Sequence, residues 1–284
     1  MAIQFSPLLA AQARGSRSGG FSVKAINLQE LGERASPVLV LDDFRVTGRP
    51  FPPHPHAGFS AVTYVFEDSK GALRSRDSLG NDLGTGPGGI VWTQAGSGVV
   101  HEETPADPGR ELHGLQVFVN LSPKNKLVAP RMYRLEKSSV PEWQSDAGDR
   151  VRVLVGSFAD LSSPLVPAEP FDFLDVELQS EISFNLDSGR NAIVYVPQGD
   201  ITVHTAAGER KVAGGHALSL YGSGGRVRLA ALQRAHLVLL SGIEIRDPIV
   251  ADGPFIMNEQ SQLESAVSRY RAGEMGHLAP LSEG

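Results

Sequence analysis

The chain has 284 residues, of which 41% are hydrophobic and 20% are charged, so it is able to bury a sizeable core and is not a disordered or fibrous protein. Lysine and arginine total 26 against 32 aspartate and glutamate residues, and the resulting net charge of -6 argues against direct binding of nucleic acid. Cysteine is absent, which excludes disulfides, thiolate nucleophiles and cysteine-ligated metals. Any metal must therefore be held by His, Asp or Glu.

Hydrophobic runs along the chain are short. None approaches the roughly 20 residues that a membrane-spanning helix needs. The N-terminal segment has no lysine or arginine before Arg14 and its apolar part is broken by Pro7, so it lacks the pattern of a secretory signal. We therefore expect a cytoplasmic protein that does not bind membranes.

Short strand-like runs, separated by turns, follow one another along most of the chain. Glycine and proline number 31 and 19, and they punctuate segments rich in β-branched residues or with alternating polarity. This pattern predicts an all-β sandwich or barrel. The predicted strands are Val38–Leu41, Ala61–Phe66, Gly89–Thr93, Leu115–Val119, Val151–Val155, Ile193–Val196, Ile201–His204, Val227–Leu232 and Leu237–Leu240.

One segment near the C-terminus has helical rather than strand periodicity. Leu263, Ala266, Val267 and Tyr270 recur at i, i+3, i+4 and i+7, which predicts an amphipathic helix. Asn258 and Ser261 are candidate N-caps, and Gly273 is expected to end the helix. We expect this helix to cover a sheet face or edge.

The two halves of the chain share a weak internal repeat. Tyr64–Glu67 returns as Tyr195–Gln198, and the Gly-rich turn ahead of Ile90 returns ahead of His216 at nearly the same spacing. This order of strands and turns is found in small jelly-roll barrels. Matches this short also arise by chance, so the repeat alone leaves a duplication open.

The polar segment between the halves, residues 122–149, is interpreted as their connection. It carries a group of basic residues, which in an acidic chain typically form a solvated face. These residues are Lys124, Lys126, Arg131 and Arg134.

Two histidine motifs lie in the first half. His54-Pro55-His56 and His101-Glu102-Glu103 each place residues i and i+2 on one face of an extended segment. An H-x-H motif alone is more often a solvated loop, but the second pair with matching parity favours a common site. Three imidazoles and the Glu103 carboxylate suit a divalent first-row metal with open positions, and Glu102 is expected to face the other way.

Other candidates have competing interpretations. His113 begins a predicted strand and either orients a ligand or lies at the surface. Trp92, Phe51 and Phe59 either line a pocket for an aromatic ligand or belong to the core. No segment has the glycine pattern of a nucleotide-binding loop.

Five segments together resemble the pirin family, whose members are two-domain proteins of the cupin superfamily. Most cupins carry a glutamate three or four residues after H-x-H, whereas this chain has Gly58–Ser60 there and Glu103 beside His101, as pirins do. The matching segments are Val40–Phe44, Phe51–Phe59, Gln94–Glu103, His113–Leu121 and Gly253–Asn258.

The resemblance implies an all-β fold of two tandem cupin (jelly-roll) β-barrels with a short C-terminal α-helix. We expect an N-terminal metal-binding cupin barrel in residues 1–135 and a C-terminal degenerate barrel with the terminal helix in residues 136–284. It also implies that His54, His56, His101 and Glu103 bind a metal, most often iron as Fe(II), although the donor set also accepts other divalent first-row metals.

The second half carries no equivalent ligand set. Positions that correspond to the ligands by the repeat are Asn185, Asp187 and Val227. The remaining histidines of this half, His204, His216 and His236, lie on separate strands and are expected to be packed or hydrogen-bonded. We therefore assign this barrel a structural or recognition role.

The resemblance implies one of two functions. The first is a dioxygenase similar to quercetin 2,3-dioxygenase, which acts on a small phenolic, flavonol-type substrate and in which Glu103 is a ligand that also accepts the substrate's hydroxyl proton. The second is a non-enzymatic, redox-responsive iron protein that binds a protein partner. A fold-level analogy does not choose between them, and the substrate, the metal loaded in the cell and the oligomeric state stay open.

Overall fold

A computed structural model of the chain describes residues 2–16, 20–49 and 51–281. The first half of the described chain contains β1 (Gln4–Phe5), β2 (Leu9–Ala10), β3 (Gln12–Ser16), β4 (Phe21–Ala25), a 3-10 segment (Leu28–Ala35), β5 (Val38–Val46), β6 (His54–His56), β7 (Phe59–Val65), β8 (Leu73–Asp77), β9 (Asp82–Thr85), β10 (Ile90–Gln94), β11 (Val99–Pro105), β12 (Leu112–Asn120) and β13 (Arg131–Leu135).

The second half continues with a short 3-10 helix (Lys137–Ser139) and further strands. These are β14 (Glu142–Gln144), β15 (Arg150–Val155), β16 (Ser157–Phe158), β17 (Leu161–Ser162), β18 (Phe171–Leu178), β19 (Glu181–Leu186), β20 (Arg190–Gln198), β21 (Ile201–Thr205), β22 (Gly208–Val212), β23 (His216–Tyr221), β24 (Gly225–Ala231), β25 (Ala235–Ile243), β26 (Val250–Asp252) and β27 (Phe255–Met257), followed by the helix α1 (Gln260–Arg271).

Two pairs of sheets have the same strand order. The first pair is a seven-stranded sheet, β13-β10-β7-β12-β5-β4-β3, and a four-stranded sheet, β6-β11-β8-β9. The second pair is an eight-stranded sheet, whose main order is β1-β23-β20-β25-β18-β15-β14, and a four-stranded sheet, β19-β24-β21-β22. The run β10-β7-β12-β5 corresponds to β23-β20-β25-β18, and the two four-stranded sheets correspond strand by strand. The internal repeat seen in the sequence is therefore a repeat of topology, and the all-β prediction is confirmed.

The described residues group into two compact units that interleave along the chain. One contains those within 1–12, 24–40 and 139–245, and the other those within 13–23, 41–138 and 246–284. The predicted domains 1–135 and 136–284 stay a prediction, because compact packing units are not a test of independent folding. The C-terminal segment belongs to the same unit as residues 41–138. Its apolar side chains pack with Ala57 and Val100; they are Phe255, Met257, Leu263 and Met275.

Each unit has its own apolar core. In the unit that contains residues 139–245, side chains from both sheets form one cluster, which includes Val153, Leu174, Ile182, Val227 and Leu239. In the other unit, one apolar cluster contains Val46, Val65, Leu73, Val91 and Leu112. The same unit also buries polar side chains, among them His56, His101 and Thr63.

Helix α1 differs from its prediction at its N-terminus. The helix begins at Gln260 and its N-cap is Glu259, whose side chain makes no capping hydrogen bond. Of the two predicted caps, Asn258 precedes the N-cap and Ser261 lies inside the first turn. Leu263 and Ala266 are buried as expected, whereas Tyr270 is 41% exposed. The buried face of the helix therefore contains fewer residues than the spacing of its apolar positions predicts. No helix in the described ranges is long and apolar enough to cross a membrane.

The segment 122–149 is more structured than a connection. Strand β13 pairs in full with β10 and so extends the seven-stranded sheet. Lys126, expected on a solvated face, is fully buried, because three oxygen acceptors surround its ammonium group. Both differences depend on tertiary contacts that local polarity does not encode.

Candidate metal centre

The predicted histidine motifs form two neighbouring antiparallel strands. His101 of β11 lies directly opposite His54 of β6, and Val99 lies opposite His56. Because side chains alternate along a strand, His54 and His56 face the same side, and His101 faces that side from the partner strand. The two motifs, far apart in sequence, thus deliver three imidazoles to one place.

The three imidazole rings make a nearly equilateral cluster. Their centroids are 4.8 Å apart for His54 and His56, 4.7 Å for His54 and His101, and 4.6 Å for His56 and His101. The Nε2 atoms of His54 and His101 are 3.2 Å apart. Two nitrogens that bind one metal at right angles with bonds of about 2.1 Å are about 3 Å apart, so this spacing fits a shared cation.

One nitrogen from each histidine is available to a metal. All three candidate ligand atoms lie within 4.8 Å of one another. The Nδ1 atom of His54 lies 2.9 Å from the carbonyl oxygen of Pro52; because a carbonyl only accepts, Nδ1 carries the proton and Nε2 keeps its lone pair. His101 Nδ1 is buried and has no hydrogen-bond partner among the described residues.

The surroundings keep two of these imidazoles neutral. Burial, reinforced by His54, lowers the pKa of His56 to about 3 against an opposing contact with the Pro254 carbonyl. Burial likewise holds the pKa of His101 well below its ordinary value, with His56 and His54 adding to the effect. A neutral imidazole is the form that binds a metal. The cluster is reached by solvent on the side of His54, since His56 and His101 are only 5% and 2% exposed.

The fourth predicted ligand, Glu103, lies beside two hydroxyl groups. Its carboxylate accepts hydrogen bonds from Thr63 Oγ1 at 2.5 Å and Ser75 Oγ at 3.1 Å. Burial raises the pKa of Glu103, and these two hydroxyls oppose the rise. In the described part of the chain, the close group of ligand atoms consists of the three histidines, so the role of Glu103 as a ligand stays a prediction.

Glu102, between the two predicted ligands, has a different environment. Its carboxylate accepts a hydrogen bond of 2.8 Å from Arg76 Nη1 in an ion pair that is largely buried. Arg76 lies opposite Glu102 on β8, and Ser75 lies opposite Glu103. The alternation of side chains therefore separates the two glutamates, as the sequence predicts.

Aromatic side chains form one wall of the histidine cluster. The ring of His56 lies 4.9 Å from that of Phe59 and 5.5 Å from that of Phe118. Residues that pair across two antiparallel strands point to the same face of the sheet. Val91 pairs with Thr63, which faces Glu103, whereas Trp92 pairs with Val62 and so points to the opposite face. Trp92 is therefore not part of this wall. Phe51 instead packs edge-on against Phe21. Of the three aromatic residues singled out from the sequence, only Phe59 contacts the cluster.

His113 lies in a separate polar cluster. Its ring nitrogens contact Asp68 Oδ1 at 2.5 Å and Asp43 Oδ1 at 3.0 Å, and its ring packs against Phe66. The structure therefore gives His113 two carboxylate partners of its own and does not place it next to a metal ligand.

The histidines of the second half are held singly. His204 pairs with Glu209, His216 with the Gly214 carbonyl, and His236 with Asp175. At the positions that correspond to the ligand strands, β19 and β24 contribute Ile182, Leu186, Val227 and Leu229 to the apolar core. Among the residues that the structure describes, a group of three histidines that could hold a metal occurs only in the first pair of sheets.

Three further polar residues of the site were not identified from the sequence. Thr63 contacts both Glu103 and Gln116, and Ser75 contacts Glu103. Thr63 lies in a strand buried along its whole length. A hydroxyl in such a strand needs a buried partner, and that is the signal by which Thr63 stands out; Ser75 and Gln116 carry no comparable signal.

Comparison with known proteins places the chain in a family. The family described as Pirin matches residues 20–119, and the Pirin C-terminal cupin domain matches residues 173–276. The chain is 36% identical over 257 residues to a protein of Pseudomonas aeruginosa named "Putative quercetin 2,3-dioxygenase", with 85% of this chain and 87% of that protein covered. It is 32% identical over 259 residues to mouse Pirin, with 89% and 87% covered.

A solved structure shows the same fold over the whole chain. The crystal structure of quercetin 2,3-dioxygenase from Acinetobacter baumannii superposes with a TM-score of 0.86, covering 98% of this chain and 100% of that one at 24% identity. The predicted pair of tandem cupin barrels is confirmed. The family matches, the two repeated sheet pairs and the histidine cluster in the first of them agree, and the chain belongs to the pirin family.

Proposed function

We propose that this chain is a metal-dependent dioxygenase that acts on flavonol-type phenolic substrates at an iron centre held by His54, His56, His101 and Glu103. The observation that carries the proposal is the histidine cluster. In it the Nε2 atoms of His54 and His101 lie 3.2 Å apart, and His54 is only half-buried, so solvent reaches the cluster on its side. The names of the Pseudomonas and Acinetobacter relatives support the choice of reaction and substrate class.

The donor set fits a divalent first-row metal. Imidazole suits iron, copper, nickel and zinc, and an added carboxylate favours the harder members of that series. Bound Fe(II) would polarise a chelating phenol and mediate electron transfer from that substrate to dioxygen. The chain would supply three imidazole nitrogens and one carboxylate to this ion, a set that leaves positions open for substrate.

The proposed role of Glu103 follows from its surroundings. A carboxylate whose pKa is raised by burial is a better proton acceptor for a phenolic hydroxyl than an exposed one. Thr63 and Ser75 hold both of its oxygens, so the group is fixed before substrate arrives. Phe59 and Phe118, which lie against His56, offer an apolar wall to an aromatic substrate.

The experiment is anaerobic loading with Fe(II), followed by oxygen uptake with a series of flavonols and other catechol-like compounds. Glu103→Gln keeps the shape of the side chain but removes the anionic ligand, so metal affinity and oxygen uptake should both fall by about 10 to 100-fold or more. Glu102→Gln is the matched control, because glutamine is still able to accept the Arg76 hydrogen bond, and both quantities should stay close to the wild type.

Two outcomes contradict parts of the proposal. A larger loss in Glu102→Gln than in Glu103→Gln would reverse the assignment of the two glutamates. Stoichiometric iron binding without oxygen uptake for any phenolic compound would refute the dioxygenase. It would leave the redox-responsive iron protein with a protein partner, which rests on the sequence resemblance.

A further inference from the structure

Lys126 is a charged residue in the interior of the unit that holds the histidine cluster. It lies in the loop that follows β12, residues 122–128, here called the Lys126 loop. Its Nζ atom is 2.8 Å from the Gly58 carbonyl oxygen, 2.5 Å from Asn120 Oδ1 and 3.0 Å from the Ile256 carbonyl oxygen. An ammonium group has three N–H donors, and each of these three oxygens lies in position to accept one.

The Gly58 carbonyl belongs to the segment that carries His54 and His56. Gly58 has a φ of +84°, and a Cβ atom there would come within 1.9 Å of the Ile256 carbonyl oxygen. The carbonyl oxygens of Gly58, two residues after the proposed ligand His56, and of Ile256 both lie within 3.0 Å of Lys126 Nζ. Without a cation between them, two such carbonyl dipoles would repel each other. The ammonium group of Lys126 lies between them and makes this close approach favourable.

Further backbone contacts attach His56 to the same place. Ile256 donates its N–H to the Ala57 carbonyl at 3.0 Å, and Ala57 donates to the Pro254 carbonyl at 3.3 Å. Gly58 donates to the Gly96 carbonyl at 2.8 Å. The peptide groups directly after His56 are therefore held on both sides, and Lys126 holds the last of them.

The Lys126 loop also holds the turn that leads to His101. Ser97 donates its N–H to the Val128 carbonyl at 2.8 Å. Gly96 approaches that carbonyl so closely that a Cβ atom would lie 2.1 Å from it. One loop thus contacts the backbone just after β6 and just before β11, the two strands that carry the histidines.

We propose that Lys126 is a positioning residue for the metal centre, which fixes the segment of His54 and His56 relative to that of His101. This inference rests on the proposed metal-binding function. Metal ligation tolerates errors in ligand position of only a few tenths of an ångström. A buried ammonium group that holds Gly58, Ile256 and Asn120 together restricts the position of His56 within such limits.

The test compares Lys126→Met with Lys124→Met. Methionine keeps the apolar stem but removes all three donors, and Lys124 is an exposed lysine of the same loop. Co(II) is titrated into metal-free protein at a temperature where circular dichroism shows each variant folded, and its visible absorption bands report coordination number. We expect Lys126→Met to bind Co(II) about 10 to 100-fold more weakly with shifted absorption bands, and Lys124→Met to match the wild type in both.

The outcomes separate this inference from the proposed function. If wild-type protein and His101→Ala bind Co(II) equally weakly, the metal site itself is refuted. If the wild type binds Co(II) and Lys126→Met binds it with the same affinity and the same absorption bands, the positioning role is overturned while the metal site stands. The positioning role is also overturned if Lys126→Met unfolds at a lower temperature but keeps the wild-type affinity and absorption bands, because the lysine would then only stabilise the fold.

A milder variant applies if Lys126→Met does not fold. Asn120→Ala removes one acceptor and leaves Lys126 bound to the two carbonyls. We expect a smaller loss of Co(II) affinity, about 3 to 10-fold, corresponding to part of the effect of an outer-shell change. An unaltered affinity together with unaltered absorption bands in this variant would overturn the proposal.

Discussion

Substitution of His101 by alanine tests whether the histidine cluster binds a metal at all. His101 is 2% exposed and is the histidine of the cluster that β11 contributes. Its loss leaves His54 and His56 of β6 and the proposed ligand Glu103. Because changes outside the ligand shell already cost 10 to 100-fold in affinity, removal of a ligand should weaken binding by about 100-fold or more.

The size of the effect is measurable as a shift of the unfolding temperature. A metal at 100 times its dissociation constant stabilises the folded protein by about 2.7 kcal/mol, which corresponds to roughly 5–10 °C at about 2–4 °C per kcal/mol. A 100-fold weaker variant at the same metal concentration gains only about 0.4 kcal/mol, or roughly 1 °C. His101→Ala should therefore lose nearly all of the shift that Co(II) produces in the wild type.

The matched control is His204→Ala. His204 contacts an exposed carboxylate, Glu209, at 3.3 Å, so its removal should leave the Co(II) shift intact. Equal losses of the shift in the two variants would refute the location of the ligand set in the first pair of sheets. A full shift in His101→Ala would refute the three-histidine site.

Two further predictions concern the active metal and the response to pH. Fe(II)-loaded protein should consume oxygen with a phenolic substrate and the Zn(II) form should not, because zinc has no redox chemistry; equal oxygen uptake by the two forms would contradict this. Burial raises the pKa of Asp149, but N–H donors of Ser180 and Gln179 and the Ser145 hydroxyl outweigh it and hold that pKa below its ordinary value. The folded-state pKa is thus depressed, so the stabilisation is complete above the unfolded pKa of about 3.9 and is lost as the pH falls through the folded-state pKa. Asp149→Asn should lower the free energy of unfolding at pH 7 by about 2 kcal/mol in chemical denaturation, with the difference shrinking below about pH 4; a pH-independent difference would contradict it.

The sequence predicts the ligand-bearing strands because alternation is a local property. His54 and His56, or His101 and Glu103, share a face in any extended segment, and the structure places the three histidines together and turns Glu102 towards Arg76. The nine predicted strands all fall on observed strands for the same reason. Hydrophobic pattern and turn residues define strands without reference to their neighbours.

Features that depend on register or on distant backbone were not predictable in this way. Trp92 lies on the far face of its strand because it pairs with Val62, and a sequence does not reveal which neighbour a strand will take. Lys126 is buried because the Gly58 and Ile256 carbonyls meet beside Asn120. Its three acceptors come from three separate parts of the chain, so composition alone indicated a solvated lysine.

The two pairs of sheets share a topology but bury different kinds of side chain at the positions of the histidine cluster. In the second pair of sheets, β19 and β24 fill the interior with residues such as Leu186 and Val227, which stabilise the fold by burial alone. In the first pair, the corresponding strands bury the imidazoles of His56 and His101, and the Nδ1 atom of each has no hydrogen-bond partner among the described residues. Burial of such groups is unfavourable. A bound cation would satisfy the ring nitrogens that face it. A bound metal would therefore stabilise the first pair of sheets and not the second. Protection from hydrogen exchange on Co(II) binding should increase in β6 and β11 and stay unchanged in β19 and β24.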